Sequence, residues 1–209
     1  VLDPALLDFE IFQLSNFKYS FQELQDYYSE VTRFQNLRWE IPPRDLTKDQ
    51  KLYPPGYDDG VGIYGYAVQT NMKDTTLPAP TYNAKTIPNE LKIPYATNET
   101  ELAFGFARKI LDRFSFIEEM VITGHPPNSK IGFHKDNEIN VRIHLPIIIN
   151  EKSYFLFEEN KYILKEGLAY IVNTNKIHGT SNEGESDRIH LLFKIPIGRI
   201  YEFINGQEI

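Results

Sequence analysis

The sequence contains 209 residues, which is enough for one well-buried domain and too few for two of generous size, so we expect a single domain over 1–209. Its formal net charge of −7 argues against a partner such as a nucleic acid or an anionic membrane surface, because both bind through a basic footprint. Cysteine is absent, which excludes disulfides and thiolate metal sites and leaves histidine and carboxylate as candidate ligands.

The composition also favours a cytoplasmic location. No apolar run approaches the ~20 residues of a membrane helix, and the start of the sequence lacks the basic-then-apolar pattern of a signal peptide. The lack of cysteine is compatible with a reducing compartment. We therefore expect a cytoplasmic protein with no membrane or nucleic-acid partner, and the sequence leaves its oligomeric state open.

Two helices are predicted in the first part of the chain. Ser20-Phe-Gln-Glu23 has the form of a capping box, and apolar residues follow it at helical spacing, which predicts a helix over 21–35. Asn98-Glu-Thr-Glu101 predicts the start of a second helix that continues to about Phe114. Both helices are expected to pack one apolar stripe against a sheet.

Short strands and proline-rich connections make up the rest of this first part. Strands are predicted within 8–17 and over 61–69, where apolar and polar residues mix or alternate. The segments 42–57 and 73–94 are rich in proline and are either plain connections or lids over a site. Tyrosines in or near these segments are candidates for a substrate-selecting wall or ordinary core and surface aromatics: Tyr53, Tyr57, Tyr64 and Tyr66.

From Phe116 to Ile197 the pattern changes to a succession of short β-type runs. Glycine, proline, asparagine or charged turns separate these runs, which span 117–123, 130–135, 139–149, 153–158, 161–164, 168–172 and 188–196. Such a density of short strands predicts a sandwich or barrel of antiparallel sheets. We expect a mainly β protein in which 116–197 form the β core and the helices, strands and loops of 1–115 buttress it.

Three polar residues of this β-rich region have the spacing of a metal site. His134 and Asp136 lie two positions apart, so on a strand an imidazole and a carboxylate project to the same side. His178 follows 42 positions after Asp136, beyond a strand-like run. Two histidines and one carboxylate on one face of an octahedron form the facial triad that holds non-haem Fe(II) and leaves the other positions open.

Polar residues on two predicted strands accompany this triad. Arg142 and His144 alternate with aliphatic residues, so that one face of their strand is polar, although an ordinary half-exposed strand gives the same alternation. Arg188 and His190 alternate with apolar neighbours in the same way. A guanidinium fixed on a strand is suited to hold a carboxylate through two parallel hydrogen bonds.

These residues resemble the Fe(II)/2-oxoglutarate-dependent dioxygenases, which are built on the double-stranded β-helix, a jelly-roll and cupin-like fold. Within that superfamily the chain is similar to the aspartyl/asparaginyl β-hydroxylase group, which includes bacterial free-proline hydroxylases. The similarity covers roughly 120–195 and lies in Val141-Arg-Ile-His-Leu-Pro146, His178-Gly-Thr-Ser-Asn182 and Arg188-Ile-His-Leu191. The animal aspartyl hydroxylases lack the acidic ligand, so the presence of Asp136 places this sequence nearer the bacterial branch.

The resemblance implies a role for each candidate residue. His134, Asp136 and His178 would bind Fe(II), and Arg188 would pair with the far carboxylate of the cosubstrate 2-oxoglutarate, assisted by the hydroxyl of Thr123. His144 would contact the cosubstrate, and Arg142 a carboxylate of the substrate. The implied reaction consumes O2, releases succinate and CO2, and hydroxylates an unactivated C–H of an amino acid or of an amino-acid residue in a peptide.

Other interpretations of the same residues stay open. A cupin-like hydrolase or isomerase could hold Zn(II) or Mn(II) at the triad, and a β-barrel without activity could bind a small acid. His125, beside two prolines, is expected to be a structural turn residue, whereas His190 is either structural or an orienting partner of the site. Three lysines are expected at the surface: Lys135, Lys176 and Lys194.

Overall fold

The computed structural model describes residues 8–38, 64–70, 97–136 and 139–205. Its strands are β1 (Ile11–Gln13), β2 (Tyr64–Ala67), β3 (Gln69–Thr70), β4 (Asn98–Glu99), β5 (Glu118–His125), β6 (Ser129–His134), β7 (Asn140–Ile148), β8 (Ser153–Phe157), β9 (Asn160–Tyr162), β10 (Tyr170–Val172), β11 (His178–Asn182) and β12 (Arg188–Pro196). Its helices are α1 (Phe21–Arg38), α2 (Gly105–Arg113) and α3 (Ile200–Asn205), and a 3-10 turn, Ile197–Arg199, precedes α3.

Ten of the described strands form two antiparallel sheets. The major sheet has the order β1-β10-β7-β12-β5-β2, and the minor sheet has the order β6-β11-β8-β9. From β5 to β12 the chain passes back and forth between the two sheets, and only β8 and β9 are consecutive strands of the same sheet. This alternation makes the core a double-stranded β-helix, which confirms the expected fold class.

The main hydrophobic core lies outside this barrel, between the major sheet and the helices. Leu24 of α1 and Phe106 and Ile110 of α2 are buried against one face of β7 and β12. That face is formed by the aliphatic positions of the two strands, namely Val141, Ile143, Leu145, Ile147, Ile189, Leu191, Phe193 and Ile195. Each fully buried side chain of this size contributes roughly 1.5–3 kcal/mol, so the helices and the outer face of one sheet supply much of the driving force for folding.

Helix α1 begins where its capping residue predicts. The hydroxyl oxygen of Ser20 accepts a hydrogen bond from the backbone N–H of Glu23 at 3.2 Å, which satisfies one of the free donors of the first turn. The helix continues beyond the expected end to Arg38. Tyr27 donates its hydroxyl hydrogen to the carbonyl of Leu102 at 2.8 Å, and this bond links α1 to the segment that leads into α2.

The prediction that the second helix starts at 98–101 was wrong. Asn98 and Glu99 form strand β4, paired with β3, and α2 begins only at Gly105. Thr100 explains the difference, because its hydroxyl donates to the carbonyl of Ala67 at 2.7 Å and its backbone N–H donates to that of Val68 at 2.9 Å. These two bonds hold Thr100 beside residues 67 and 68, so its backbone N–H and hydroxyl are not available to start a helical turn.

Strand β11 was not predicted from the sequence. Its residues, His178-Gly-Thr-Ser-Asn182, are small and polar and have little intrinsic strand preference, yet all five are buried. The strand forms because β6 and β8 flank it on both sides, so its backbone groups complete the minor sheet. Tertiary pairing therefore decides the conformation of this segment.

Some sequence expectations concern residues that the structure does not describe. Both proline-rich segments, 42–57 with Tyr53 and Tyr57 and 73–94, lie outside the described residues. Tyr66 packs against the hydrophobic core on the helix side of β2. Among the described residues, no helix combines the length and the apolar character needed to cross a membrane.

Candidate metal centre

The structure brings His134, Asp136 and His178 together. His134 ends β6 and His178 begins β11, and the two residues are direct partners in the β6–β11 pairing. Asp136 lies just beyond the end of β6, where its backbone N–H donates to the carbonyl of Thr174 at 3.0 Å. One ligand atom from each of the three side chains lies within 4.8 Å of the other two, which is a spacing that one metal ion can span.

Both imidazoles are oriented by the backbone. The Nδ1 of His134 lies 2.9 Å from the carbonyl oxygen of Gly132, and the Nδ1 of His178 lies 3.0 Å from that of Lys176. A carbonyl can only accept, so each Nδ1 carries the hydrogen and each Nε2 keeps its lone pair for a metal. Burial lowers the pKa of His178, which favours the neutral imidazole that a metal binds.

The carboxylate of Asp136 has a partner on each side. Its Oδ1 lies 3.5 Å from Nε2 of His134, and its Oδ2 lies 2.9 Å from Nη2 of Arg142 on β7. The family resemblance implied that Arg142 contacts a carboxylate of the substrate, whereas in the structure its guanidinium contacts Asp136 of the same chain. The two side chains are 12% and 18% exposed, so water screens the ion pair only in part.

A second polar cluster lies between the sheets, around the ring of Phe155 on β8. The guanidinium of Arg188 lies over this ring at 5.0 Å, and the ring of His144 meets it edge-on with the centroids 5.2 Å apart. Since Phe155 belongs to the minor sheet, these contacts show that Arg188 and His144 point from the major sheet into the barrel. The alternation on β7 and β12 therefore separates a polar interior from the apolar outer core.

Arg188 is a buried cation. It is 3% exposed, no carboxylate of the described residues lies within ion-pair distance, and its Nη1 has no hydrogen-bond partner among them. Burial lowers the pKa of Arg188 to about 9, because the charged form is disfavoured away from water. A buried charge of this kind is costly unless an anion compensates it.

The histidines of the interior are neutral and paired. Nδ1 of His144 and Nδ1 of His190 lie 3.1 Å apart, so one ring donates and the other accepts. Burial, reinforced by the charge of Arg188, holds the pKa of both rings well below the ordinary histidine value. Their Nε2 atoms are buried and find no hydrogen-bond partner among the described residues.

Two further residues, both on β5, complete this cluster. Thr123 is the register partner of His190, and His125 is the register partner of Arg188. Both are buried, and His125 is the last residue of β5, directly before the turn at Pro126. The sequence signal that could have placed His125 in this cluster is its spacing from Thr123, since residues two apart on a strand share a face.

Lys194 also differs from its expected place. It was predicted at the surface, but it is 7% exposed and forms an ion pair of 2.7 Å with Glu119. Its register partner on β7 is Arg142. Of the three lysines, Lys135 is exposed as expected, and Lys176 donates to the carbonyl of Asp8.

The donor atoms fit a divalent transition metal. Two neutral imidazole nitrogens and one carboxylate oxygen suit Fe(II), and they also suit Zn(II) or Mn(II). In the interior cluster, Nη1 of Arg188 has no hydrogen-bond partner among the described residues, and one of the paired imidazoles has an Nε2–H free to donate, so the cluster fits a small anion with several oxygen atoms. The barrel therefore brings together one set of residues that could hold a metal ion and another set that could hold an anion.

A family model described as aspartyl/asparaginyl beta-hydroxylase matches residues 87–196 of this chain. The matched region contains the three candidate metal ligands and the interior cluster around Phe155. A search among curated proteins found no match.

Solved structures share parts of this fold. One is a predicted oxalate decarboxylase from Thermotoga maritima, 18% identical, with a TM-score of 0.34 over 44% of this chain and 76% of that one. Another is a viral collagen prolyl hydroxylase from Paramecium Bursaria Chlorella virus-1 in complex with 2-oxoglutarate, 12% identical, with a TM-score of 0.33 over 42% of this chain and 66% of that one. At these values neither likeness contributes to the interpretation of the site.

Proposed function

This chain belongs to the aspartyl/asparaginyl β-hydroxylase family and is a 2-oxoglutarate-dependent hydroxylase, and on that premise we propose that it holds Fe(II) at His134, Asp136 and His178. The observation that supports this most strongly is the convergence of the three ligand atoms within 4.8 Å. The orientation of both imidazoles through Nδ1 supports it further, because each Nε2 is then available to the metal.

Arg188 is the residue that we propose for the distal carboxylate of 2-oxoglutarate. A dianion placed there supplies a compensating charge for a buried guanidinium and can accept a hydrogen bond from Nε2–H of whichever of His144 and His190 accepts at Nδ1. Thr123 and His144 lie on the same polar interior, where a hydroxyl and an imidazole can hydrogen-bond the cosubstrate. The polar lining thus positions the cosubstrate, and the apolar ring of Phe155 excludes water from it.

The reaction that we propose is hydroxylation of an unactivated C–H. Bound iron supplies the activation of O2 that is coupled to the oxidative decarboxylation of 2-oxoglutarate to succinate and CO2. The protein contributes the two fixed imidazoles and the carboxylate as ligands, the cation that binds the cosubstrate, and an enclosed interior. The substrate that we propose is a free amino acid or an amino-acid residue of a peptide.

Succinate release tests this function. The full chain, supplied with Fe(II), O2 and 2-oxoglutarate, is screened against free amino acids and short peptides for succinate and for a product heavier by one oxygen. We expect His134→Ala to abolish both signals, and Arg108→Met, which removes an exposed arginine of α2 that pairs with Glu99, to retain them. Metal binding without turnover of the keto acid would instead favour a cupin-like Zn(II) or Mn(II) enzyme.

A further inference from the structure

Each of the three candidate metal ligands has one outer partner. For His134 and His178 that partner is a backbone carbonyl two residues earlier, at Gly132 and Lys176. For Asp136 it is a side chain, the guanidinium of Arg142, whose Nη2 forms an ion pair with Oδ2 at 2.9 Å without the geometry of a hydrogen bond. Outer partners of this kind fix the orientation of a ligand, and their loss typically lowers metal affinity by about 10–100-fold.

Asp136 needs such a partner more than the histidines do. It lies beyond the last residue of β6, so the ladder of that sheet does not hold it, and its backbone is attached through one hydrogen bond to Thr174. A carboxylate can bind a metal through one or both oxygens. Arg142 contacts Oδ2, while Oδ1 is the oxygen closer to Nε2 of His134, so the two oxygens have different surroundings.

We propose that Arg142 is a positioning residue of the metal site, which holds Oδ2 of Asp136 and presents Oδ1 to the metal. Arg142 is itself fixed on β7, which pairs with β10 on one side and β12 on the other, so its position is set by the centre of the major sheet. The guanidinium thus fixes the carboxylate of Asp136 relative to the major sheet, although Asp136 itself lies beyond the end of β6. This inference rests on the metal-binding part of the proposed function.

The proposal differs in a measurable way from the expectation that Arg142 binds the substrate. A substrate contact changes the affinity for substrate and leaves the metal affinity of the protein alone unchanged. A positioning contact changes the metal affinity in the absence of substrate and cosubstrate. It also acts through Asp136, so its effect disappears once that carboxylate is removed.

Metal titration separates the two roles. The full chain, stripped of metal, is titrated with Co(II), whose visible absorption also reports the ligand arrangement, with no 2-oxoglutarate or substrate present. We expect Arg142→Met to weaken Co(II) binding by about 10–100-fold and to change the absorption bands, and Arg142→Lys to restore part of the affinity. The control, Arg108→Met, is expected to bind Co(II) like the unmodified protein.

A double-mutant cycle decides whether Arg142 acts through its neighbour. In an Asp136→Ala background, we expect Arg142→Met to have no further effect on Co(II) affinity. Equal affinities of the unmodified protein and Arg142→Met, or an undiminished effect in the Asp136→Ala background, would overturn the inference and leave the metal site standing. Failure of the unmodified protein to bind Co(II) would overturn the metal site and this inference together. Arg142→Lys keeps the test informative if Arg142→Met does not fold.

Discussion

His134 and His178 face each other across the β6–β11 pair, and the centroids of their rings lie 4.3 Å apart. Two imidazoles at this distance, each fixed through its Nδ1, point their remaining nitrogens into one space. Because the residues come from adjacent strands of one sheet, the arrangement forms when the sheet forms and needs no later movement of a loop.

A metal ion is expected to stabilise the folded protein through these two residues. At a free concentration 100-fold above its Kd, the metal should raise the free energy of unfolding by about 2.7 kcal/mol, which corresponds to roughly 5–10 °C in Tm for a domain of this size. Thermal melts with Co(II) and with a chelator measure the shift. His178→Ala should melt at the same temperature in both solutions, and a metal-dependent shift in that variant would exclude His178 as a ligand.

Replacing Arg188 by methionine should weaken the binding of 2-oxoglutarate while increasing the stability of the fold. We expect Arg188→Met to lose its response to 2-oxoglutarate and yet to gain about 1–2 kcal/mol in free energy of unfolding, since an apolar side chain replaces a buried charge that has no carboxylate partner in the described part of the chain. Urea unfolding without ligand measures the gain, and calorimetric titration with 2-oxoglutarate on the metal-loaded protein measures the loss. A variant that is less stable than the unmodified protein would show that Arg188 is compensated in the free protein.

A methyl group at Gly179 should disturb the metal site through the backbone. A Cβ there would lie 2.9 Å from the carbonyl oxygen of Ile131, in the irregular part of the β6–β11 pairing next to His178. We expect Gly179→Ala to cost roughly 1–3 kcal/mol of stability and to weaken metal binding. Gly198→Ala is the matched control, because a Cβ at Gly198 meets nothing within 4 Å. Equal stability of the two variants would contradict the prediction.

The stability of the metal-free protein should fall in acid because of the interior histidines. Burial holds the pKa of three rings well below the ordinary value of about 6.5, namely His125, His144 and His190. Below pH 6.5 the unfolded chain binds protons that the folded chain does not, so stability is present above that pH and is lost as the pH falls. Each ring contributes roughly 1.4 kcal/mol per pH unit.

Urea unfolding between pH 7 and pH 5 tests this dependence. His125→Gln should reduce the slope of the free energy of unfolding against pH by the contribution of one histidine, roughly 1.4 kcal/mol per pH unit, because glutamine does not titrate. A slope that is unchanged in this variant would show that His125 takes up its proton in the folded state as well.

The sequence predicted the candidate metal ligands, whose proximity the structure shows, and most of the strands, because both have local signatures. His134 and Asp136 are two apart, and the strands from β5 to β12 other than β11 alternate or are bounded by turn residues. The outer face of β7 was recognisable in the same way, since Val141, Ile143 and Leu145 share one parity and all three are buried in the main core.

What sequence reasoning missed depends on distant parts of the chain. Strand β11 is polar and becomes a strand only because β6 and β8 flank it. Lys194 is buried because Glu119, 75 positions earlier, provides a compensating charge. The contact between Arg142 and Asp136 crosses from one sheet towards the end of the other, and no periodicity within either strand encodes it.

The two faces of the major sheet have different surroundings. Its outer side packs against the helices in the main hydrophobic core, whereas its inner side is lined by buried polar groups such as Arg188 and His190, some of whose atoms find no hydrogen-bond partner among the described residues. A library of variants confined to inward-facing positions should therefore retain many folded members. The architecture is well suited to acquiring new specificities by exchange of its lining alone.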